Sequence, residues 1–321
     1  MNAAPPHHPV TAPLMEAVAD GPAGGAAFWL TASDGVRIRV AQWGRDAPRG
    51  TVFLFPGRTE YIEKYGRAAR DLQQRGYATL TIDWRGQGLA DRLMTNGALG
   101  HVGRFSDYQL DIAAMVAHAT CQNLPRPWFL LAHSMGGCIG LRALVEKMPV
   151  AAAAFTAPMW GIQMSTALRP VAWTLSGVSK PLRLSHLIAP GQQVQTYVLR
   201  AEFAGNDLTN DPEMFDYMRR QLQAHPALAI GGPSLRWLNE SLVEMRDLAA
   251  RPSPSLPCLT FLGTEETIVD IPRIHQRMAR WPGAELVTVP QAKHEIMMEN
   301  ATLRAQAFDK TATFFEAAAS G

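Results

Sequence analysis

The chain predicts an α/β fold: a mostly parallel, doubly wound sheet with an inserted helical cap. Strand-length apolar runs alternate with amphipathic helical patterns, the arrangement that builds parallel sheets covered on both faces. The alternation lapses between residues 159 and 239, where prolines punctuate helical patterning; roughly 80 residues is too long for a plain loop in a compact domain and reads as an insertion. The apolar run before Ser134 passes straight into a tight turn of small residues and a second helical pattern. The expected organisation is a loosely attached tail over 1–25, a first core part over 26–158, the cap over 159–239 and a second core part over 240–321.

The elements follow in order. The tail is rich in Pro, Ala and Gly and carries His7 and His8, which are not expected to bind metal. Phe28–Leu30 and Val36–Val40 flank Asp34-Gly35, a hairpin pattern. Thr51–Phe55 is a continuous apolar run, as expected of a strand buried on both faces. The loop Pro56-Gly57-Arg58-Thr59-Glu60 follows, then a helix from about Tyr65 to Gln74, the strand Ala78–Ile82 and a second glycine-rich loop, Asp83–Gly88. Ser106 and Gln109 have the form of a capping box before a helix carrying Leu110, Ala113, Ala114 and Ala117. Phe129–His133 reads as a buried strand and Ala151–Ala157 as a short one. In the insertion, Asp211-Pro212 is a helix start, with Met214, Met218 and Leu222 spaced along one face. Alternation resumes with the strand Cys258–Leu262, a helix after Pro272, the strand Leu286–Val289 and a helix over about 302–318.

Composition narrows the class. A hydrophobic share of 47% and a charged share of 18% suit a globular enzyme, and a net charge of +2 is too near neutral for a nucleic-acid partner. Cys121, Cys138 and Cys258 show no paired spacing and read as reduced thiols. The N-terminus has no basic start followed by an apolar stretch, so a cytoplasmic location is expected. No sequence signal speaks to oligomeric state.

Around Ser134 the chain reads Ala132-His133-Ser134-Met135-Gly136-Gly137, a G-x-S-x-G pattern with alanine at the first glycine. Such a turn strains the serine backbone and presents its hydroxyl at the sheet's carboxyl edge, where flanking side chains would collide with neighbouring chain. A serine nucleophile needs a base, an orienting acid and an oxyanion site, and at such a turn the acid and then the histidine follow in the chain. His294 stands just beyond the last strand and is the expected base. The acid falls in Gly263–Asp270, where Glu266 is the choice, Asp270 the alternative and Glu265 the third candidate. For Asp270 the competing role is N-cap to the helix entered at Pro272. The oxyanion donors would be the backbone N–H groups of Met135 and Arg58.

These residues resemble the α/β-hydrolases of the monoglyceride lipase and lysophospholipase type, grouped with the serine aminopeptidase-like hydrolases. The resemblance rests on Pro56-Gly57-Arg58-x-Glu60 with Lys64-Tyr65, Asp83-x-Arg85-Gly86-x-Gly88, the Ser134 segment, Gly263-x-x-Glu266-x-Ile268-Val269-Asp270 and His294-Glu295, in the family's order from about Phe28 to Phe315. Pro56 where much of the family has His, and Glu266 where it has Asp, look more like the bacterial lysophospholipase branch. The resemblance implies an α/β-hydrolase fold, the triad Ser134, Glu266 and His294, a cap over an acyl pocket, and no metal or organic cofactor.

The first half of the cap is apolar and basic. Residues 161–200 carry Arg169, Lys180, Arg183 and Arg200 with no Asp or Glu. Such a segment suits a single acyl chain with an anionic head group, or contact with the inner face of an anionic membrane. Trp160, Met164, Trp173 and Arg183 are the expected substrate contacts. The sequence thus points to a serine ester hydrolase acting on lysophospholipids or monoacylglycerols. A general small-ester esterase is the alternative; an aminopeptidase would want an acidic pocket. Ser134 excludes the carboxylate nucleophile of dehalogenases and epoxide hydrolases, and a complete triad argues against a silent binding protein.

Overall fold

A computed structural model describes residues 10–320. His7 and His8 lie outside the described residues. In chain order the elements are β1 Val10–Ala12, α1 Glu16–Ala19, β2 Ala26–Thr31, β3 Arg37–Trp43, β4 Thr51–Phe55, α2 Gly66–Gln74, β5 Ala78–Asp83, α3 Tyr108–Cys121, β6 Trp128–His133, α4 Met135–Val145, β7 Ala152–Thr156, α5 Leu168–Ser179, α6 Tyr197–Arg200, α7 Pro212–Ala224, α8 Leu235–Ala250, β8 Cys258–Gly263, α9 Ile271–Met278, β9 Glu285–Val289 and α10 Ala301–Ser320. They form one sheet of nine strands in the order β1-β2-β3-β5-β4-β6-β7-β8-β9. Pairing is antiparallel from β1 to β5 and parallel from β5 to β9.

Side chains of a strand alternate between faces, and here both faces are buried, so the apolar runs divide between two cores. Phe53, Phe55, Leu130, Ala132, Ala153 and Phe155 enter the core under α3, α4 and α8. Val52, Leu54, Phe129, Leu131, Ala152 and Ala154 enter the other with α2, α7 and α10, where Phe129 and Phe315 stack at 4.5 Å. From β4 the chain moves one way to β5 and then crosses to β6 on the other side of β4. That reversal opens a crevice at the strands' carboxyl ends, the place where open α/β sheets take ligands.

Three local expectations are corrected. The segment 10–25 is not a loose tail. β1 pairs with β2, the Arg39 guanidinium donates to the Pro13 carbonyl, and Tyr217 of α7 donates to the Ala19 carbonyl at 2.6 Å. Ser106 and Gln109 form no capping box. Ser106 falls in a 3-10 turn, the Arg104 amide donates to Asp107, and the Gln109 amide group donates to Ile139 across to α4. The expected cap boundary at 239 falls inside α8, whose Trp237, Leu242, Met245 and Leu248 belong to the main core. Asp211 does cap α7, accepting from the amides of Glu213 and Met214.

Candidate active site

Four loops at the carboxyl ends of β4, β6, β8 and β9 meet over the crevice, and each brings one of the residues picked out from the sequence. Ser134, between β6 and α4, has φ 48° and ψ −116°, a conformation that L side chains adopt only under constraint. The constraint comes from close packing. A Cβ on Gly136 would stand 2.3 Å from the Phe55 carbonyl oxygen, so only glycine lets α4 start this near β4. The Ala132 methyl is fully buried beside Gly140 of α4, where a Cβ would come within 3.4 Å of it. The missing side chain at 140 gives room to the extra methyl at 132.

His294 Nε2 lies 2.9 Å from the Ser134 hydroxyl, and its Nδ1 lies 2.7 Å from Glu266 Oε2. All three residues are buried. Glu266 Oε1 accepts from the amides of Ile268 and Val269, so both carboxylate oxygens are occupied. Burial alone would raise this carboxyl, but the His294 ring and the two amides hold it below the usual glutamate range. It therefore stays an anion at neutral pH and fixes the His294 tautomer, leaving Nε2 free to accept.

The competing carboxylates are engaged elsewhere. Asp270 accepts from the Arg273 amide as N-cap of α9 and pairs with Arg169 at 2.9 Å, with no hydrogen bond to His294. Glu265 accepts from the Asn210 side chain at the exposed surface.

The loop after β4 is braced from several directions. Trp84 Nε1–H donates to the Pro56 carbonyl at 3.0 Å, the Thr59 amide donates to Gln87, and the Gly57 amide donates to the Glu60 carboxylate. Among the described residues, the Arg58 and Met135 amides have no hydrogen-bond acceptor. A pair of unspent N–H groups beside a nucleophile suits a developing oxyanion.

Beneath the serine lies a charged cluster that motif spacing alone does not explain. Lys64 Nζ bridges Glu60 at 2.7 Å and Glu295 at 2.6 Å; Tyr65 donates its hydroxyl to Glu60; His133 Nε2 is 3.3 Å from Glu295. His133 Nδ1 is 2.9 Å from the Thr156 hydroxyl, and its ring packs 4.8 Å from that of His294. Burial would lower the His133 pKa, but the carboxylates of Glu295 and Glu60 raise it overall. Burial would raise Glu295, yet Lys64 and His133 hold it well below the carboxylate range. The cluster ties the loop after β4 to the loop carrying His294. Glu60, His133 and Glu295 place ligand atoms within 4.8 Å of one another, as a metal would require. Lys64 already supplies the cation there.

The cavity above Ser134 and His294 measures about 280 Å³, and Ser134 and His294 are among its lining residues. Tyr61, Val198, Leu208, Met218, Leu222 and Ile268 give it apolar wall; Arg58, Gln192, Gln193, Arg200 and Asp207 give it polar wall. The four expected substrate contacts are not among its lining. Trp160 is buried between Phe155 and Trp281 and donates from its indole to the Gly137 carbonyl, backing the turn from behind. Met164 and Trp173 border a separate cavity beyond the 268–270 segment, and Arg183 is exposed. Trp173 is drawn away because α5 turns its Ala172–Trp173 side towards the core beside α8.

Residues 46–301 match the family model described as serine aminopeptidase, S33. Lysophospholipase L2 of Escherichia coli (strain K12) is 31% identical over 300 residues, covering 89% of this chain and 86% of its own. A probable lysophospholipase L2 of Haemophilus influenzae is 28% identical, covering 80% of this chain and 81% of its own. Among solved structures, a soluble variant of monoglyceride lipase from Saccharomyces cerevisiae superposes with a TM-score of 0.70 at 18% identity, over 90% of this chain and 94% of the lipase. Paleococcus ferrophilus monoacylglycerol lipase superposes with a TM-score of 0.68 at 16% identity, over 87% and 98%. These two structures establish the α/β-hydrolase fold.

Proposed function

The chain belongs to the serine aminopeptidase S33 family of hydrolases, and from that premise we propose that it cleaves the one ester of lysophospholipids and monoacylglycerols through an acyl-enzyme on Ser134. The observation that carries this reading is the unbroken relay from Glu266 through His294 to Ser134, opening onto a cavity lined by both apolar and polar side chains. At about 280 Å³ the cavity is at the small end of ligand sites, a size for one acyl chain rather than two.

The steps follow from the geometry. Ser134 Oγ attacks the ester carbonyl carbon as His294 Nε2 takes its proton, and the oxyanion is received by the amides of Met135 and Arg58. Collapse expels the glycerol oxygen, which leaves with the proton from His294. Water then gives a proton to His294 as it attacks the acyl carbon; collapse breaks the bond to Ser134 Oγ, which takes the proton back from His294, and the fatty acid is released. Glu266 remains ionised and stabilises the imidazolium in both halves.

We take residues 159–233 as the cap and its outer face as a peripheral membrane contact on the cytoplasmic side. Eight of the large apolar residues exposed by at least a third lie between Leu168 and Val194. On α5 they are Leu168, Val171, Leu175 and Val178, one stripe at helical spacing, and Lys180 and Arg183 follow without an intervening acid. No helix among the described residues is long and apolar enough to cross a membrane.

The test is turnover of lysophosphatidylethanolamine beside short p-nitrophenyl esters, with fluorophosphonate labelling of wild type and Ser134→Ala. The lysolipid is expected to be the better substrate, and labelling to vanish in the variant. Faster turnover of the short esters would refute the lipid assignment.

A further inference from the structure

Arg58 does more than lend its amide to the loop after β4. Arg58 is one of the residues lining the cavity that holds Ser134 and His294. Its guanidinium donates one hydrogen bond to the carbonyl of Gly231, another lining residue, at 3.1 Å and lies 5.5 Å from the centre of the Trp237 ring. Among the described residues it has no carboxylate within ion-pair distance. The nearby acids are already engaged: Glu60 by Lys64 and Tyr65, Asp207 by Tyr197 and Thr267. Burial lowers the guanidinium to about 10, so it is still a cation at neutral pH. It is thus a partly buried, charged fork with most of its donors unspent, on a residue that borders the same cavity as Ser134.

The backbone of the same residue fixes what that fork can reach. With its amide at the oxyanion site, one arginine side chain separates the guanidinium from the scissile carbonyl. A glycerol backbone spans a similar distance between an ester carbonyl and a phosphate. A phosphodiester offers two oxygens to a guanidinium in the bidentate geometry that makes such pairs strong. A monoacylglycerol offers only a hydroxyl at that position.

We propose that the Arg58 guanidinium is an anion subsite that holds the phosphate of a lysophospholipid, making Arg58 the residue that favours phosphate-bearing over neutral single-chain lipids. This rests on the hydrolase reading above. A carboxylate has the same geometry, so the fatty-acid product is the other anion the fork could hold.

The experiment compares kcat/KM for 1-acyl lysophosphatidylethanolamine and for the monoacylglycerol of the same chain, at equal mole fraction in detergent micelles, with inhibition by sn-glycero-3-phosphoethanolamine and by oleate. For Arg58→Met the lysolipid-to-monoacylglycerol ratio is expected to fall ten- to hundredfold, mainly through KM, as for the loss of a charged hydrogen bond. Arg58→Lys should restore part of the ratio, because an ammonium keeps the charge and loses the fork. Inhibition by glycerophosphoethanolamine should weaken in parallel. An unchanged ratio, or equal inhibition of wild type and variant by glycerophosphoethanolamine, overturns the subsite. Weakened oleate inhibition with an unchanged ratio assigns the fork to the product carboxylate and also overturns it. If Arg58→Met does not fold, Arg58→Lys carries the same comparison, with a fall of severalfold expected and no fall overturning the proposal. Wild type that turns over neither lipid defeats the hydrolase reading instead.

Discussion

Ser134 sits between two regions built on opposite terms. Below it, Glu60, Lys64, His133 and Glu295 are polar, buried and bonded to one another. Above it, residues 168–194 are apolar and exposed, and their basic groups meet few acids. A buried charge cluster has one low-energy arrangement, because every broken pair leaves a charge without water. An exposed apolar helix face has no such constraint and gains most when a second apolar surface covers it. The lower region should therefore set geometry and stability, and the upper one access to substrate.

The sharpest way to break this division is at the relay. Glu266→Gln keeps the shape but lets the His294 ring lose its tautomer and its counter-charge. It is expected to lower kcat by roughly 10³- to 10⁴-fold. Asp270→Asn, which touches α9 and Arg169 rather than His294, should change kcat less than about tenfold; asparagine still caps the helix, and the lost Arg169 pair should cost no more than about 1 kcal/mol. Steady-state kinetics of both variants decides, and a larger kcat loss for Asp270→Asn would transfer the acid role to it.

The next largest effect is expected in the cluster. Lys64→Met leaves Glu60 and Glu295 without the ammonium that bridges them, at a cost of about 3–5 kcal/mol of folding stability. Denaturant unfolding measures it. A loss under about 1 kcal/mol would mean that the two carboxylates find other partners and that the cluster does not brace the loops.

This division was only partly legible in the sequence. The strands were readable because both faces of the sheet are covered, which writes continuous apolar runs such as Thr51–Phe55. Ser134 and His294 were readable because each follows a strand and no other residue of its kind competes there. The acid loop was harder, since three carboxylates lie within six residues and backbone geometry divides their work. The Asp270-Ile271-Pro272 helix start is the same kind of signal as Asp211-Pro212, and it favoured the capping role for Asp270. The lining of the cavity was not readable, because the rotation of α5 against α8 is set by packing between distant segments. Nor was the charge cluster: Glu60 and Lys64 share a turn, but Glu295 reaches them only through the fold. The pairing of Val10–Ala12 escaped for a related reason, a strand of three residues being too short to show alternation.

The smallest expected effect lies in the upper region, and it tests whether exposure there serves an interface. Leu168 and Leu182 are 60% and 63% exposed and lie outside the cavity lining. Burying a leucine in an acyl layer is worth roughly 1.5–3 kcal/mol when complete, so partial insertion of each should contribute about 1 kcal/mol. The double substitution Leu168→Ser with Leu182→Ser is expected to weaken vesicle binding about thirtyfold and to lower turnover of vesicle-borne lysolipid, with rates on dispersed short esters changing less than twofold. Replacing Lys180 and Arg183 by Gln removes about 1 kcal/mol of surface attraction per charge, and only towards anionic lipid. Vesicle flotation with and without phosphatidylserine separates the two contributions. Leucine variants that bind as wild type does would leave the stripe without an interfacial role, and a loss on short esters as large as on vesicles would return those leucines to the packing of the cap.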